Sequence, residues 1–308
     1  MKNTEKSFTG GIGMLALIFA LSHSAAAVDL RAFATRFGNE ILFTDSQAAV
    51  LKTSTASEGA QVVASGQKLM QPFGICVCAN GEYLVSDTGC MGLVAVNPAT
   101  GEQRLVTSGG ILGSPFGVAT EKSGTVLVAN STALIRVDPT TGAQTHVTSG
   151  GYFQLPVAVA VGTDGYVYVA DLLGSVIRVN PKTGGQKLVS RGGLLQHPQG
   201  IAVHGTDIYV TDVASSGVGR IVHINTKSGE QDVVSEGANL SSPVGIGILA
   251  TGDLVVADPN TVSPDTGSFD GAVVLVGAAD GQQHVIARGQ QDFVNPRCVS
   301  VLTISAVE

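Results

Sequence analysis

The chain has 308 residues, 44% of them hydrophobic and 13% charged, with 40 glycines and no tryptophan. Its 17 Lys and Arg stand against 24 Asp and Glu, a net charge of −7. No Lys/Arg-rich run appears, which argues against a nucleic-acid or anionic-membrane binder; the low charge and high glycine fit buried strands joined by tight turns.

Residues 1–27 read as a secretory signal peptide. Lys2 and Lys6 give a positive start, MLALIFAL (14–21) is a short apolar core, and Ala25-Ala26-Ala27 supplies a small-residue cleavage site. The apolar run is too short to span a bilayer, although an N-terminal membrane anchor is the other reading of such a leader. The expectation is an exported chain, secreted or periplasmic, with residues 28–308 as the mature domain and no membrane span after cleavage.

From residue 41 onward one pattern repeats, most clearly over Pro156–Gly193. Four short apolar runs, AVAV (158–161), YVYVAD (166–171), VIRVN (176–180) and KLVS (187–190), are separated by turn sequences such as Thr163-Asp164-Gly165. Runs this short, rich in Val, Ile and Tyr and bounded by Gly, Asp and Asn, predict strands. A unit of about 42 residues is then a four-stranded meander, the length of a propeller blade. An opening proline recurs at Pro72, Pro115, Pro156, Pro198, Pro243 and Pro296. The second strand recurs as ILFTD (41–45), YLVSD (83–87), VLVAN (126–130), YVYVAD, IYVTD (208–212) and LVVAD (254–258). The predicted fold is all-β, a six-bladed β-propeller of four-stranded antiparallel blades. The first unit lacks a proline-led strand and PRCVSVL (296–302) has no strands after it, so the C-terminal strand is expected to complete the N-terminal blade and close the ring. LRAFAT (30–35) competes for the same slot.

The four cysteines are Cys76, Cys78, Cys90 and Cys298. Export favours disulfides. Cys76 and Cys78 share one face of a strand and pair poorly with each other, so the expected staple joins Cys298 to Cys76 or Cys90, with the pairing open. A metal site built on Cys76, Cys78 and Cys90 is the weaker reading, because no histidine clusters with them.

Crossing loops between blades and the loops from second to third strands share one face of a propeller, where function on such scaffolds is carried. Residues flanking the blade-opening prolines should ring the channel mouth. Phe73, Phe116, Leu155 and Val157 would form an apolar side, and His197, Gln199, Asn295 and Arg297 a polar one, as in small-molecule sites. Ordinary loop variation would also make the mouth uneven. Phe73, Phe116, Val157, Gln199 and Asn295 are the candidate ligand-binding residues. His197 is the candidate general base and Arg297 the anion or oxyanion stabiliser. A third ring, Asp45, Asp87, Asn130, Asp171, Asp212 and Asp258, ends the second strands. A residue present in every blade is explained by a task every blade shares, capping the following turn; the competing reading places a divalent ion, calcium or magnesium, on Asn130, Asp171 and Asp212. The loop 258–271 lengthens the last blade on the mouth face and reads as a lid, a calcium loop or decoration.

The repeated PxGIAV, IYVTD and IxxIN pattern resembles NHL-repeat propellers and the related gluconolactonase-type and streptogramin-lyase-type six-bladed propellers, across nearly all of residues 30–302. Two functions follow as expectations. One is an exported propeller binding a small ligand or a protein partner at the mouth. The other, implied by the lactonase and lyase likeness, is a secreted metal-assisted lyase or hydrolase acting on a lactone, cyclic ester or glycoside-like molecule.

Overall fold

The computed structural model describes residues 40–302 except 56, 266 and 290–292; the leader and LRAFAT lie outside the described residues. Each repeat forms one four-stranded antiparallel sheet, and the six sheets are the six blades. Blade 4 is Pro156–Val161, Val167–Asp171, Ser175–Val179 and Gln186–Arg191, in spatial as in chain order. Blades 2, 3, 5 and 6 repeat it over residues 72–108, 115–149, 198–236 and 245–288.

Blade 1 closes the ring as the sequence predicts. Pro296–Leu302 lies antiparallel to Glu40–Asp45, with Ile41 opposite Val301 and Phe43 opposite Val299. Ala49–Ser54 and Ser57–Ser65 complete the sheet. The strand Pro296–Leu302 therefore occupies the innermost position, and the first and last described strands are joined by main-chain hydrogen bonds rather than left as open edges.

The second strands are buried on both faces: every residue of Tyr83–Asp87, Val126–Asn130, Val167–Asp171 and Leu254–Asp258 is buried. That is why they read as unbroken apolar runs instead of alternating ones. Neighbouring blades enclose six apolar clusters. One, between blades 1 and 2, holds Leu42, Val50, Ile75 and Val85; its counterpart between blades 4 and 5 holds Tyr168, Val176, Ile208 and Val222.

The recurring Pro-x-Gly has a packing cause. The first strands ring the axis at backbone contact, and the glycine faces the next blade. A Cβ at Gly200 would lie 2.2 Å from the Val244 carbonyl, and one at Gly74 2.6 Å from the Phe116 carbonyl.

Glutamines opening the fourth strands latch each blade to the one before. Gln231 accepts from the Leu194 N–H at 2.6 Å and donates to Ser190 Oγ at 2.8 Å and the Gly192 carbonyl at 3.0 Å. Gln144, Gln186 and Gln283 repeat this pattern.

The predicted disulfide staple is not formed, and all four thiols are free. Strand alternation explains why Cys76 misses Cys298. Ile75 faces the core between blades 1 and 2, which Cys298 joins, whereas Cys76 and Cys78 face the core between blades 2 and 3. Cys90 lies in the turn after the second strand of blade 2, with its N–H 3.0 Å from Asp87 Oδ1, while Cys298 is on the innermost strand of blade 1. Burial pushes the Cys76 thiol up to about 12 and the Cys90 thiol up to about 11.

Candidate functional site at the channel mouth

The residue after each opening proline starts the innermost strand, and its side chain is delivered to the axis. Phe73, Val157, Gln199, Val244 and Arg297 all line the central channel. Phe116 packs its ring edge-on against Phe73, with centroids 5.3 Å apart at 68°. The cavity is small, about 70 Å³. Roughly 10–15 Å³ of such volume admits one water and roughly 300–1,000 Å³ a drug-sized molecule, so the slot takes a single functional group and not a whole ligand.

Arg297 is the one charged side chain in that lining. Its guanidinium is half-buried, and burial lowers its pKa against the opposing pull of Asp45. Among the described residues it has no ion-pair or hydrogen-bond partner. Gln199, on the same lining, is likewise without a side-chain partner among them.

His197 and Asn295 fall elsewhere. Each precedes its proline, in a crossing loop whose N–H groups are turned inward onto a second-strand aspartate: His197 N–H to Asp212 at 2.8 Å and Asn295 N–H to Asp45 at 2.7 Å. The His197 ring is exposed, its Nδ1 donating to the Val213 carbonyl at 2.9 Å. Neither residue lines the channel. The sequence-predicted general base His197 and anion stabiliser Arg297 are therefore not brought together at one site.

The aspartate ring is a set of six caps. Asp171 is fully buried and accepts from the N–H groups of Gln154 (2.7 Å), Leu155 (2.9 Å) and Leu173 (3.1 Å). Asp212 accepts from Gln196 N–H (2.7 Å) and His197 N–H on one oxygen, while its other oxygen pairs with Arg220 at 2.9 Å. Asn130 takes Gly113 N–H (3.0 Å) and Ser114 N–H (2.9 Å) on its oxygen, and its Nδ2 donates to the Ile111 carbonyl (3.2 Å). Asp45, Asp87 and Asp258 tie down their crossing loops in the same way. These oxygens are committed to backbone N–H groups, and in Asp212 also to the Arg220 guanidinium, each within its own blade and crossing loop. Among the described residues no three His, Cys, Asp or Glu side chains converge on a point. The donor set does not fit calcium or magnesium.

The 258–271 loop folds back as a small hairpin, with Val262 bridged to Phe269 and Ser263 N–H donating to the Ser268 carbonyl at 2.8 Å. Its acids diverge. Asp258 caps, Asp270 lies 3.4 Å from Arg288, and Asp265 points to solvent. A larger groove of about 430 Å³ lies away from the mouth, where His223 sits 2.9 Å from Asp207 and 3.9 Å from Asp232. It contains none of the residues predicted to act together.

No family model matches the sequence, and no curated protein matches it. Solved structures do match. A nidogen/laminin complex structure aligns at TM-score 0.69 and 14% identity, covering 86% of this chain and 98% of that one. Virginiamycin B lyase from Staphylococcus aureus aligns at TM-score 0.55 and 14% identity, covering 74% and 73% respectively. At that identity the likeness speaks for architecture: this chain is a six-bladed β-propeller, similar in fold to both.

Proposed function

We propose that this is an exported binding propeller whose channel mouth captures the anionic group of a small ligand. Arg297 supplies the counter-charge, Gln199 a hydrogen bond, and Phe73, Phe116 and Val157 the apolar wall. The observation that carries this reading is the unpaired Arg297. In a chain of net charge −7, a half-buried guanidinium faces an apolar slot with no ion-pair partner among the described residues, Asp45 acting on it only at longer range. A desolvated arginine of that kind binds carboxylate or sulfate through paired N–H donors. The slot's 70 Å³ admits the charged head and leaves the ligand's body over the mouth. Export rests on the leader at residues 1–27.

The two similar structures are a protein complex and a lyase, so the scaffold hosts both classes and the mouth residues must decide. Here they favour binding. The metal-assisted lyase or hydrolase reading needs ligands that Asn130, Asp171 and Asp212 do not offer, and a base that His197, outside the channel, does not supply. Calorimetric titration with sulfate and with acetate through octanoate tests the proposal. The wild type should bind, carboxylates more tightly as the tail lengthens, and Arg297→Gln should weaken binding roughly 10- to 100-fold, the worth of charge-assisted hydrogen bonds. Equal affinity in Arg297→Gln, or no binding by the wild type, overturns it.

A further inference from the structure

Eleven large apolar side chains are exposed among the described residues. Only Val62, Leu105 and Val233 belong to outer strands; the other eight all sit on crossing loops or second-to-third-strand loops, and hence on the mouth face. Met70, on the loop leading into blade 2, and Met91, on the second-to-third-strand loop of blade 2, are exposed by 56% and 51%. Phe269 (66%) and Val262 stand on the blade 6 hairpin, and Leu173 (58%) projects from blade 4. Single exposed apolar residues are ordinary, but their collection on one face marks a contact surface. Each is roughly half exposed, so together they present on the order of 700 Å², close to the roughly 800 Å² each partner loses in a standard-size interface.

Charge follows the opposite distribution. The exposed charges on the mouth-face loops and strand ends, among the described residues, are Lys68, Arg191, Glu236 and Asp265, which sum to zero. Turns at the other end carry eight acids, Glu82, Glu102, Glu121, Asp138, Asp164, Glu230, Asp253 and Asp280, against Lys122, Lys182 and Lys227; Glu82, Glu121 and Asp164 are paired with Arg104, Arg136 and Arg178, which leaves an excess of two acids. The other end therefore keeps a small acidic excess, which disfavours contact between two copies there, and the mouth face does not.

We infer that the mouth face is a self-association surface, on which a second copy of this chain docks face to face and brings the two channel mouths together. A neutral, Met- and aromatic-bearing face is what homodimer interfaces present, and a two-fold contact asks only that one patch match itself. The absence of a basic ring counts against a membrane as occupant. The contact does not use Arg297 and stands if that site takes nothing.

Sedimentation equilibrium of the purified protein tests it. The expected result is a concentration-dependent dimer whose dissociation constant rises roughly tenfold or more in Phe269→Asp and, separately, in Met70→Asp. Leu105→Asp, on an outer strand, should leave it unchanged. Thermal midpoints of all three should match the wild type, and two separate mouth-face variants keep the test alive if one misfolds. A wild type monomeric throughout the accessible concentration range overturns the inference, as does a dimer indifferent to both mouth-face variants. A monomer that co-sediments with phosphatidylcholine vesicles also overturns it, assigning the face to lipid.

Discussion

Replacing Asp171 by alanine separates the two tasks that the second-strand acids were expected to perform. The substitution removes one acceptor from three backbone N–H groups at 2.7, 2.9 and 3.1 Å, at a position of 0% exposure. An orphaned buried donor costs roughly 1–3 kcal/mol, and neighbouring losses do not add fully once water enters, so the total should be about 3–5 kcal/mol. That is a large part of a typical total of roughly 5–15 kcal/mol. The thermal midpoint should fall by roughly 10 °C. Asp171→Asn is the informative partner. Its remaining oxygen can serve Gln154 and Leu155, but its NH₂ then faces the Leu173 N–H, a cost of about 1–2 kcal/mol. Blade 3 tolerates Asn130 because its shorter hairpin leaves that second lobe free to donate to the Ile111 carbonyl. Urea unfolding with metal analysis of both variants decides the matter. An Asp171→Ala protein of wild-type stability that has lost a stoichiometric divalent ion would refute the cap reasoning and restore the metal site.

Three further outcomes follow from the packing. Gly200→Ala drives a Cβ to within 2.2 Å of the Val244 carbonyl, so it should cost about 1–3 kcal/mol or more in urea unfolding; Gly113→Ala, with nothing within 4 Å, should stay within roughly 0.5 kcal/mol. The four thiols should resist Ellman's reagent at pH 8 until the protein is denatured, and mobility on non-reducing gels should not depend on reductant; a rapid reaction of Cys76 in the folded protein contradicts its placement in the core between blades 2 and 3. Burial holds the Cys76 thiol at about 12, against 9.0 for an exposed one. Below pH 9 both states keep the proton and nothing changes. As pH rises from 9 toward 12 the unfolded chain releases it and the folded one does not, so stability falls over that window, and Cys76→Ala should flatten the slope.

Repetition made the architecture legible. Six proline-led units, six second strands ending in Asp or Asn, and an orphan strand at each end led to the blades, the ring closure and the capping role, because these are set within one blade by local turn chemistry and strand pattern. What spans blades was not legible. The glutamines that open the fourth strands recur visibly, yet their partners lie in the preceding blade, 37 residues back for Gln231 and Leu194. Cys76 and Cys298 occupy adjoining inner strands, but alternation points them into different cores. The mouth shows the limit most sharply. His197 and Gln199 flank the same proline, and sequence alone places both at the mouth, one as general base and one as ligand contact. Gln199 begins a strand whose neighbours press it toward the axis, whereas His197 ends a loop whose backbone is pinned by Asp212 and whose ring is thereby sent outward to Val213. The sequence by itself determined how many blades there are and how the ring is tied. Only the tertiary structure decided which side chains reach the channel, because that depends on where neighbouring blades press and which backbone groups each aspartate claims.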